Sequence, residues 1–475
     1  MTTTTTTGPG GRPGMGPSRP TGTAMGLNTD PKHLPPQREP VKVVQGPGGT
    51  RREVDNAGKT RGFEGHGKVA RFDPQGKPQY VHDDRRGVTI THAPGGGRQV
   101  VRAFPDGRRV VTTGAHVGYV EHRYVPVARP GHMLPPGRTY VQRTYVVNNV
   151  HYTRVYASYN YHGMPYYRYA PVAYYRPAFY GWAYRPWVAP VRYSWGWSGR
   201  PWYGYYGAYF TPYPVYPRPA LWLTDFLLAA NLAAAYEARA DARAAAQAQA
   251  VAEAPPPASA QITMSPEVKE LIAQEVQRTL AEREALAQQA AAPQAMAAPG
   301  PATTPPPTAA TYTPPPSAPA AAAVEDLPPA LTHNPFIVST SMPVVADGQE
   351  CNLTPGDLIF RTTNSPDQNN LVTVSILASK PGDCATGQQV AVAVQDLQEM
   401  YNSFLERLDS GLGELANNSG KAGMPAAPDT TTIPGEVSAP PPDKDVDNAL
   451  AEQQRVADQS EAELQKEAFV GNSGG

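Results

Sequence analysis

From Gly67 onward, apolar and polar residues alternate in short runs: Lys68–Phe72, Gln79–His82, Val88–His92, Gln99–Phe104 and Arg109–Thr113. A period of two is the mark of a half-buried strand. Gly67, Gly76, Gly87, Gly97, Gly107 and Gly118 recur every nine to eleven residues between these runs. Strands divided by glycine turns at this spacing predict a β-meander or a stack of hairpins. The runs hold few large apolar side chains, so such a sheet needs a second layer to bury against. Tyr140–Val147 and Val150–Tyr156 continue the alternation on either side of Asn148-Asn149, which predicts a hairpin with a two-residue turn. Beyond Tyr161 a proline falls every few residues, and extended loops are expected there rather than long central strands.

The period then changes. Leu221 to about Ala254 reads as a helix capped by Thr224 or Asp225, rich in alanine and stopped by Pro255–Pro257. A second helix starts at Ser265 as N-cap with Pro266 in its first turn, and runs to about Ala291. Its loose apolar stripe, Val268, Leu271, Ile272, Val276, Leu280 and Leu286, is compatible with self-association. Between 331 and 418, five short β-rich runs precede a helix from about Asp396 to Leu415. That pattern suggests a small half-open barrel, SH3-like in size. An acidic helical tail is expected near Val446–Ala468.

Composition limits how much of the chain these elements fill. With 54 Pro and 43 Gly, long tracts cannot build a core. The expected fold class is mixed: a largely disordered chain with a β-rich Gly-repeat/aromatic region, two Ala-rich helices and a small C-terminal SH3-like β-barrel plus helix. The expected organisation is a disordered basic arm (1–60), the β-rich Gly-repeat and Tyr/Trp/Arg region (65–219), helices at 220–254 and 265–291, and a Pro/Ala linker (292–330). The small β domain with its helix (331–418) and a linker with the acidic tail (419–475) complete it.

Charge is strongly polarised although the net value is zero. Residues 1–224 carry twenty-nine Lys and Arg against ten Asp and Glu, whereas 225–475 carry twelve against thirty-one. A basic half of this kind meets polyanions or anionic surfaces, and the acidic half keeps the chain soluble or folds back on it. From His122 to Thr224 there is no acidic residue, and every cation is arginine. In that stretch, from Tyr152 to Trp222, twenty-six of seventy-one residues are aromatic. Arginine stacks on rings and forks onto anions where lysine does so poorly. Two readings follow. The rings replace a missing aliphatic core, or they form a binding platform for sugar rings, single-stranded nucleic acid or an anionic surface. The candidate platform residues are Tyr175, Trp182, Arg185, Trp187, Arg192, Trp195, Trp197, Arg200 and Trp202. On the first reading, Arg176, Arg185, Arg192 and Arg200 would lie over neighbouring rings against the glycine-repeat sheet.

Cys351 and Cys384 are the two cysteines, in one candidate domain. They read as a single disulfide or as two buried thiols in a reducing compartment. No apolar signal segment follows Met1, and the most apolar run, Leu221 to Tyr236, is too short to span a membrane. Catalytic and metal-binding patterns are missing. Gly196-Trp197-Ser198-Gly199-Arg200 fails as a nucleophile elbow at its last position. Asp443, Asp445 and Asp447 begin like a calcium loop, but Asn448 and Gln454 stand where Gly and Glu are needed. The histidines, His82 and His92 among them, show no ligand spacing. No cofactor, no metal and no enzymatic activity are expected.

The runs Phe179-Tyr180-Gly181-Trp182-Ala183-Tyr184-Arg185-Pro186-Trp187 and Ala220-Leu221-Trp222-Leu223-Thr224-Asp225, together with Cys351 and Ser379-Lys380-Pro381-Gly382-Asp383-Cys384, resemble a Tyr/Trp-rich family of soil-bacterial proteins to which no activity is assigned. The resemblance covers roughly residues 65–420. It implies export, which suits a disulfide, and carries over no functional residue. The expected function is a non-enzymatic scaffold or adhesive protein of the periplasm, cell envelope or secreted fraction, its aromatic-Arg surface touching cell-wall glycan or another polyanion. The alternative is a nucleic-acid-binding protein using Arg/Tyr stacking, and the alternative location is cytoplasmic.

Overall fold

The computed structural model describes residues 42–73, 75–92, 98–113, 117–127, 138–147, 149–248, 263–296, 327–347, 349–421 and 423–469. The expected arm over 1–41 and most of the expected Pro/Ala linker, 297–326, lie outside these residues.

Twelve strands form one antiparallel meander in strict chain order. They are β1 (Lys42–Gln45), β2 (Arg51–Val54), β3 (Thr60–Gly65), β4 (Lys68–Phe72), β5 (Pro78–Asp83), β6 (Val88–His92), β7 (Arg98–Ala103), β8 (Arg109–Thr112), β9 (Val117–Tyr124), β10 (Tyr140–Val147), β11 (Val150–Tyr161) and β12 (Met164–Ala170). β1 and β2 correct the expectation of a disordered arm to residue 60. Their few apolar side chains give little strand signal alone, and pairing to β3 supplies the stability. Gly67, Gly76, Gly87 and Gly107 sit in the left-handed region that the hairpin turns require. Gly118 does not. It lies within β9, where a Cβ would come 2.6 Å from the Val111 carbonyl oxygen and 2.7 Å from Leu450 Cδ2. The β10–β11 register pairs Val147 with Val150 across Asn148-Asn149, as the sequence predicts. Pro165 is in β12, an edge strand that tolerates a missing donor.

The second layer of the glycine-repeat sheet is the acidic tail. Helix α6 (Val446–Phe469) sets Val456, Ala457, Leu464 and Ala468 into a cluster with Phe63, Phe72, Val81, Val88, Ile90 and Val100. The aromatic region, which the sequence places here as the second layer, packs elsewhere. The tail wins because it offers both an apolar stripe and carboxylates. Lys68 pairs with Glu467 at 2.9 Å, Arg86 with Glu463 at 2.5 Å, and Arg98 with Asp458 at 2.6 Å and Glu461 at 2.8 Å. Glu463 is held down to about 2, chiefly by its hydrogen bonds from Arg86.

Residues 171–222 instead pack with the C-terminal half. They contribute α1 (Pro177–Tyr184), α2 (Pro201–Tyr206) and β13 (Ala173–Tyr175). One continuous core joins their rings to α3 (Pro219–Ala248), α4 (Pro266–Met296) and the disulfide-bearing unit. Ser265 caps α4 through the Val268 amide at 3.3 Å. The α4 stripe expected to favour self-association is used inside the chain: Ile272, Val276 and Leu280 are buried, and Leu286 alone of the six is largely exposed.

The C-terminal unit has strands β14 (Pro335–Ile337), β15 (Met342–Ala346), β16 (Gln349–Leu353), β17 (Leu358–Arg361), β18 (Leu371–Ala378) and β19 (Gln389–Ala393), followed by α5 (Val394–Asn417). The described strands make a four-stranded sheet, β14-β17-β18-β19, and a separate β15-β16 hairpin. The described strands form no closed barrel, and their apolar side chains share one cluster with the helices and the rings. Cys351 and Cys384 form a disulfide with Cα atoms 4.9 Å apart. Residues 419–445, expected as linker, run as a strap. Met424, Ile433 and Val437 are buried, and β20 (Thr432–Pro434) pairs with β13.

Gly118→Ala is expected to push α6 off the sheet and to cost about 1–3 kcal/mol. Part of the loss should return in Gly118→Ala with Leu450→Ala, read as denaturation midpoints. Independent, additive effects of the two substitutions would contradict the packing described.

Candidate functional site: an arginine-bearing ring module

The acid-free stretch ends on carboxylates that are both buried and paired. Glu121 lies directly opposite Arg143 in the β9–β10 register, and Arg143 Nε donates to it at 2.7 Å. The same guanidinium forks onto Glu399 of α5 at 2.9 and 2.8 Å. Arg143 is 0% exposed and also lies over the Tyr156 ring, 4.1 Å from its centroid. A fork of this kind needs arginine; an ammonium could not bridge both carboxylates in plane. Glu406, about two helical turns further along α5, accepts from the Tyr156 hydroxyl at 2.5 Å. Burial pushes the Glu406 carboxyl up to about 7.

At the other end, Asp225 is 0% exposed in α3. It pairs with Lys269 of α4 at 2.6 Å and accepts from the Tyr216 hydroxyl at 2.7 Å and from the Tyr213 amide at 2.6 Å. Burial raises the Asp225 carboxyl and lowers the Lys269 ammonium. The Lys269 nitrogen caps the Tyr213 ring at 3.7 Å. Trp195 Nε1 donates to the Tyr216 oxygen at 2.6 Å, so the ion pair orients a ring stack through one hydroxyl. Trp195 stacks on Trp197 at 4.3 Å and on Trp222 at 4.6 Å, and Trp222 stacks on Phe226 at 5.8 Å. Offset pairs of this size contribute about 0.5–1.5 kcal/mol each beyond their buried area.

These contacts sort the candidate platform residues. Trp187 and Trp197 are buried, at 7% and 2% exposure, and belong to the core. Tyr175, Trp182, Trp195 and Trp202 are half-buried with their faces engaged by other rings. Arg185, Arg192 and Arg200 are exposed. They do not lie over rings as expected. Among the described residues the cations over tyrosine rings are instead Arg138, Arg143, Arg154, Arg168, Arg239, Arg283, Lys269 and Lys380, while Arg102 and Arg108 lie over Phe104. Arg176 is drawn off to Asp429 at 3.5 Å. Tyr184, next to Arg185 in sequence, is 41% exposed, and Val188 is fully exposed.

Sequence reasoning missed Glu121, Arg143 and Lys269, and read Asp225 as a helix cap, whereas it lies inside α3 and pairs with Lys269. The signal was present, since Glu121 and Asp225 are the last acid before and the first acid after the acid-free stretch. His82 pairs with Asp84 at 2.9 Å, whereas His92, His122 and His151 meet tail carboxylates, Glu461, Asp443 at 2.5 Å and Asp447 at 3.0 Å. Among the described residues no group of three or more His, Cys, Asp or Glu is placed to hold a metal ion. No described helix is long and apolar enough to cross a membrane. Comparison with protein-family models, with curated proteins and with solved structures gave no match to this chain.

Arg143→Met strands two buried carboxylates and is expected to cost about 3–5 kcal/mol, measured by urea denaturation; a loss under about 1 kcal/mol would contradict the buried fork. Glu406 gives a pH test. Its folded-state value of about 7 lies above the unfolded one of about 4.3. Its contribution is therefore fully present below that lower value and is lost as pH rises to about 7. Glu406→Gln should lose less stability than the wild type between about pH 5 and pH 8, whereas parallel stability curves would contradict the assignment.

Proposed function

We propose that this chain is a non-enzymatic interaction protein that presents Arg185, Arg192 and Arg200, on a rigid ring-packed module, to an anionic polymer such as an acidic glycan. The observation that carries this reading is the contrast between two sets of cations. Those on the sheet, Lys68, Arg86 and Arg98, are matched by carboxylates of α6. The three arginines of the module are exposed in an acid-free stretch, and no described residue pairs with them. A rigid base lowers the ordering cost of binding, and the ring core with its Asp225–Lys269 anchor supplies that base.

The nucleic-acid reading needs open ring faces for stacking. Here the tryptophans mostly stack on one another, which favours the glycan-directed reading. The disulfide is compatible with an exported protein. An envelope or secreted location and kinship with the Tyr/Trp-rich family are parts of the same proposal.

Binding to immobilised polyuronate, measured with the purified full chain, tests it. Changing Arg185, Arg192 and Arg200 together to Ser should weaken binding by about tenfold or more, since three charge-assisted contacts are removed. The fold should persist, as these side chains are exposed. Unchanged affinity in the triple variant would remove the site. Tighter binding to single-stranded DNA than to polyuronate, with a steep salt slope, would favour the nucleic-acid reading.

A further inference from the structure

The disulfide-bearing unit contains a second pair of reactive side chains. The turn between β16 and β17 holds Thr354, Pro355, Gly356 and Asp357, and the turn after β18 holds Lys380 and Asp383. Asp357 is 0% exposed and Lys380 is 5% exposed. The Lys380 Nζ donates to Oδ1 of Asp357. Nζ also lies 3.2 Å from Oδ2 of Asp383 and donates to the Thr354 carbonyl at 3.2 Å. The Asp357 carboxyl is gripped from both sides. Its Oδ2 accepts from the Thr354 amide at 2.7 Å and its Oδ1 from the Lys380 amide at 3.1 Å. The Thr354 hydroxyl donates to Asp383 Oδ2 at 2.6 Å and fixes that carboxylate.

The aromatic module seals this group. The buried Tyr209 donates from its hydroxyl to the Gly356 carbonyl at 3.1 Å, and Lys380 Nζ lies 5.9 Å from its ring centroid. Leu232 of α3 packs so tightly on Gly356 that a Cβ there would come 2.7 Å from Leu232 Cδ2. Burial pushes the Asp357 carboxyl up, toward its neutral form.

We propose that Lys380 and Asp357 are a modification site at which the folded chain joins itself through an intramolecular isopeptide bond, with Asp383 as the proton relay. The Lys380 ammonium passes one proton to Asp357, leaving a neutral amine beside a neutral carboxyl. Nζ attacks Cγ of Asp357, the Thr354 amide holds the oxyanion that develops on Oδ2, and Oδ1 is the oxygen that departs. Asp383 takes the second proton from nitrogen and returns it to the departing hydroxyl. One C–N bond forms, one C–O bond breaks and one water leaves. Nothing is oxidised or reduced, and Asp383 ends as it began. Holding amine and carboxyl in contact replaces a bimolecular encounter. Exclusion of water and removal of two buried charges favour the amide over the ion pair. The bond would tie the same two segments as Cys351–Cys384, six residues inside it on one side and four on the other.

Mass spectrometry of the full chain after reduction and alkylation tests this. The wild type should be lighter than its sequence by one water molecule, and the tryptic fragments that carry Asp357 and Lys380 should stay joined after reduction. Lys380→Met and Asp383→Asn should each restore the sequence mass. Asp357→Asn should lose ammonia in place of water. A wild-type chain at its full sequence mass, with the two fragments separating on reduction, overturns the proposal whatever the variants do, and leaves Lys380–Asp357 as a buried ion pair.

Discussion

A single-layer meander has two faces and no interior, so the twelve strands are stable only where something covers them. That requirement organises the molecule. Along β3 to β10 one face is covered by α6, whose apolar stripe fills the cluster around Phe63, Phe72 and Ile90 while its carboxylates meet Lys68, Arg86 and Arg98. On the opposite face of β9 to β11, α5 brings Glu399 onto Arg143 and Glu406 onto Tyr156. The last strand is closed by the same helix, since Asn402 accepts from the Tyr169 amide at 3.0 Å and donates to the Tyr167 carbonyl at 2.8 Å. An open edge of that length would otherwise invite pairing with another chain. The charge polarity of the sequence is thus resolved largely within one chain, the acidic end folding back over the basic one.

The absence of carboxylates between His122 and Thr224 follows from the same packing. The interior there is made of rings, and a carboxylate inside it would need a cation and hydrogen bonds to remain charged. The two that bound the stretch, Glu121 and Asp225, each have such partners. Arginine suits the remaining cation positions because its plane lies on rings when buried and stays hydrated when exposed. Once the rings are core, what the module offers to the outside is arginine, and the proposed polyanion contact rests on Arg185, Arg192 and Arg200 rather than on tryptophan faces.

Local features were legible in the sequence, and long-range partners were not. The turn glycines, the Asn148-Asn149 hairpin, the Ser265 cap and the bridging of Cys351 with Cys384 each follow from residue type at short range. Gly118 fitted the same spacing for a different reason, the approach of Leu450 from more than three hundred residues away. The sheet's need for a second layer could be read from its small side chains, but the choice of α6 over the ring module depended on matching carboxylates in register with Lys68, Arg86 and Arg98. Five short β-rich runs could not show what covers them, the helices and rings that share their core. The strap over 419–445 was missed because its prolines conceal three widely spaced anchors, Met424, Ile433 and Val437.

The central claim is that the meander and its acidic helix are one cooperative unit. Native-state hydrogen exchange on the full chain measures this directly. The amides of α6 and those of β4 to β8 should open with the same free energy and the same denaturant dependence. Exchange of α6 through a low-energy local opening, with the strands still protected, would show that the sheet stands without its second layer and would contradict the account.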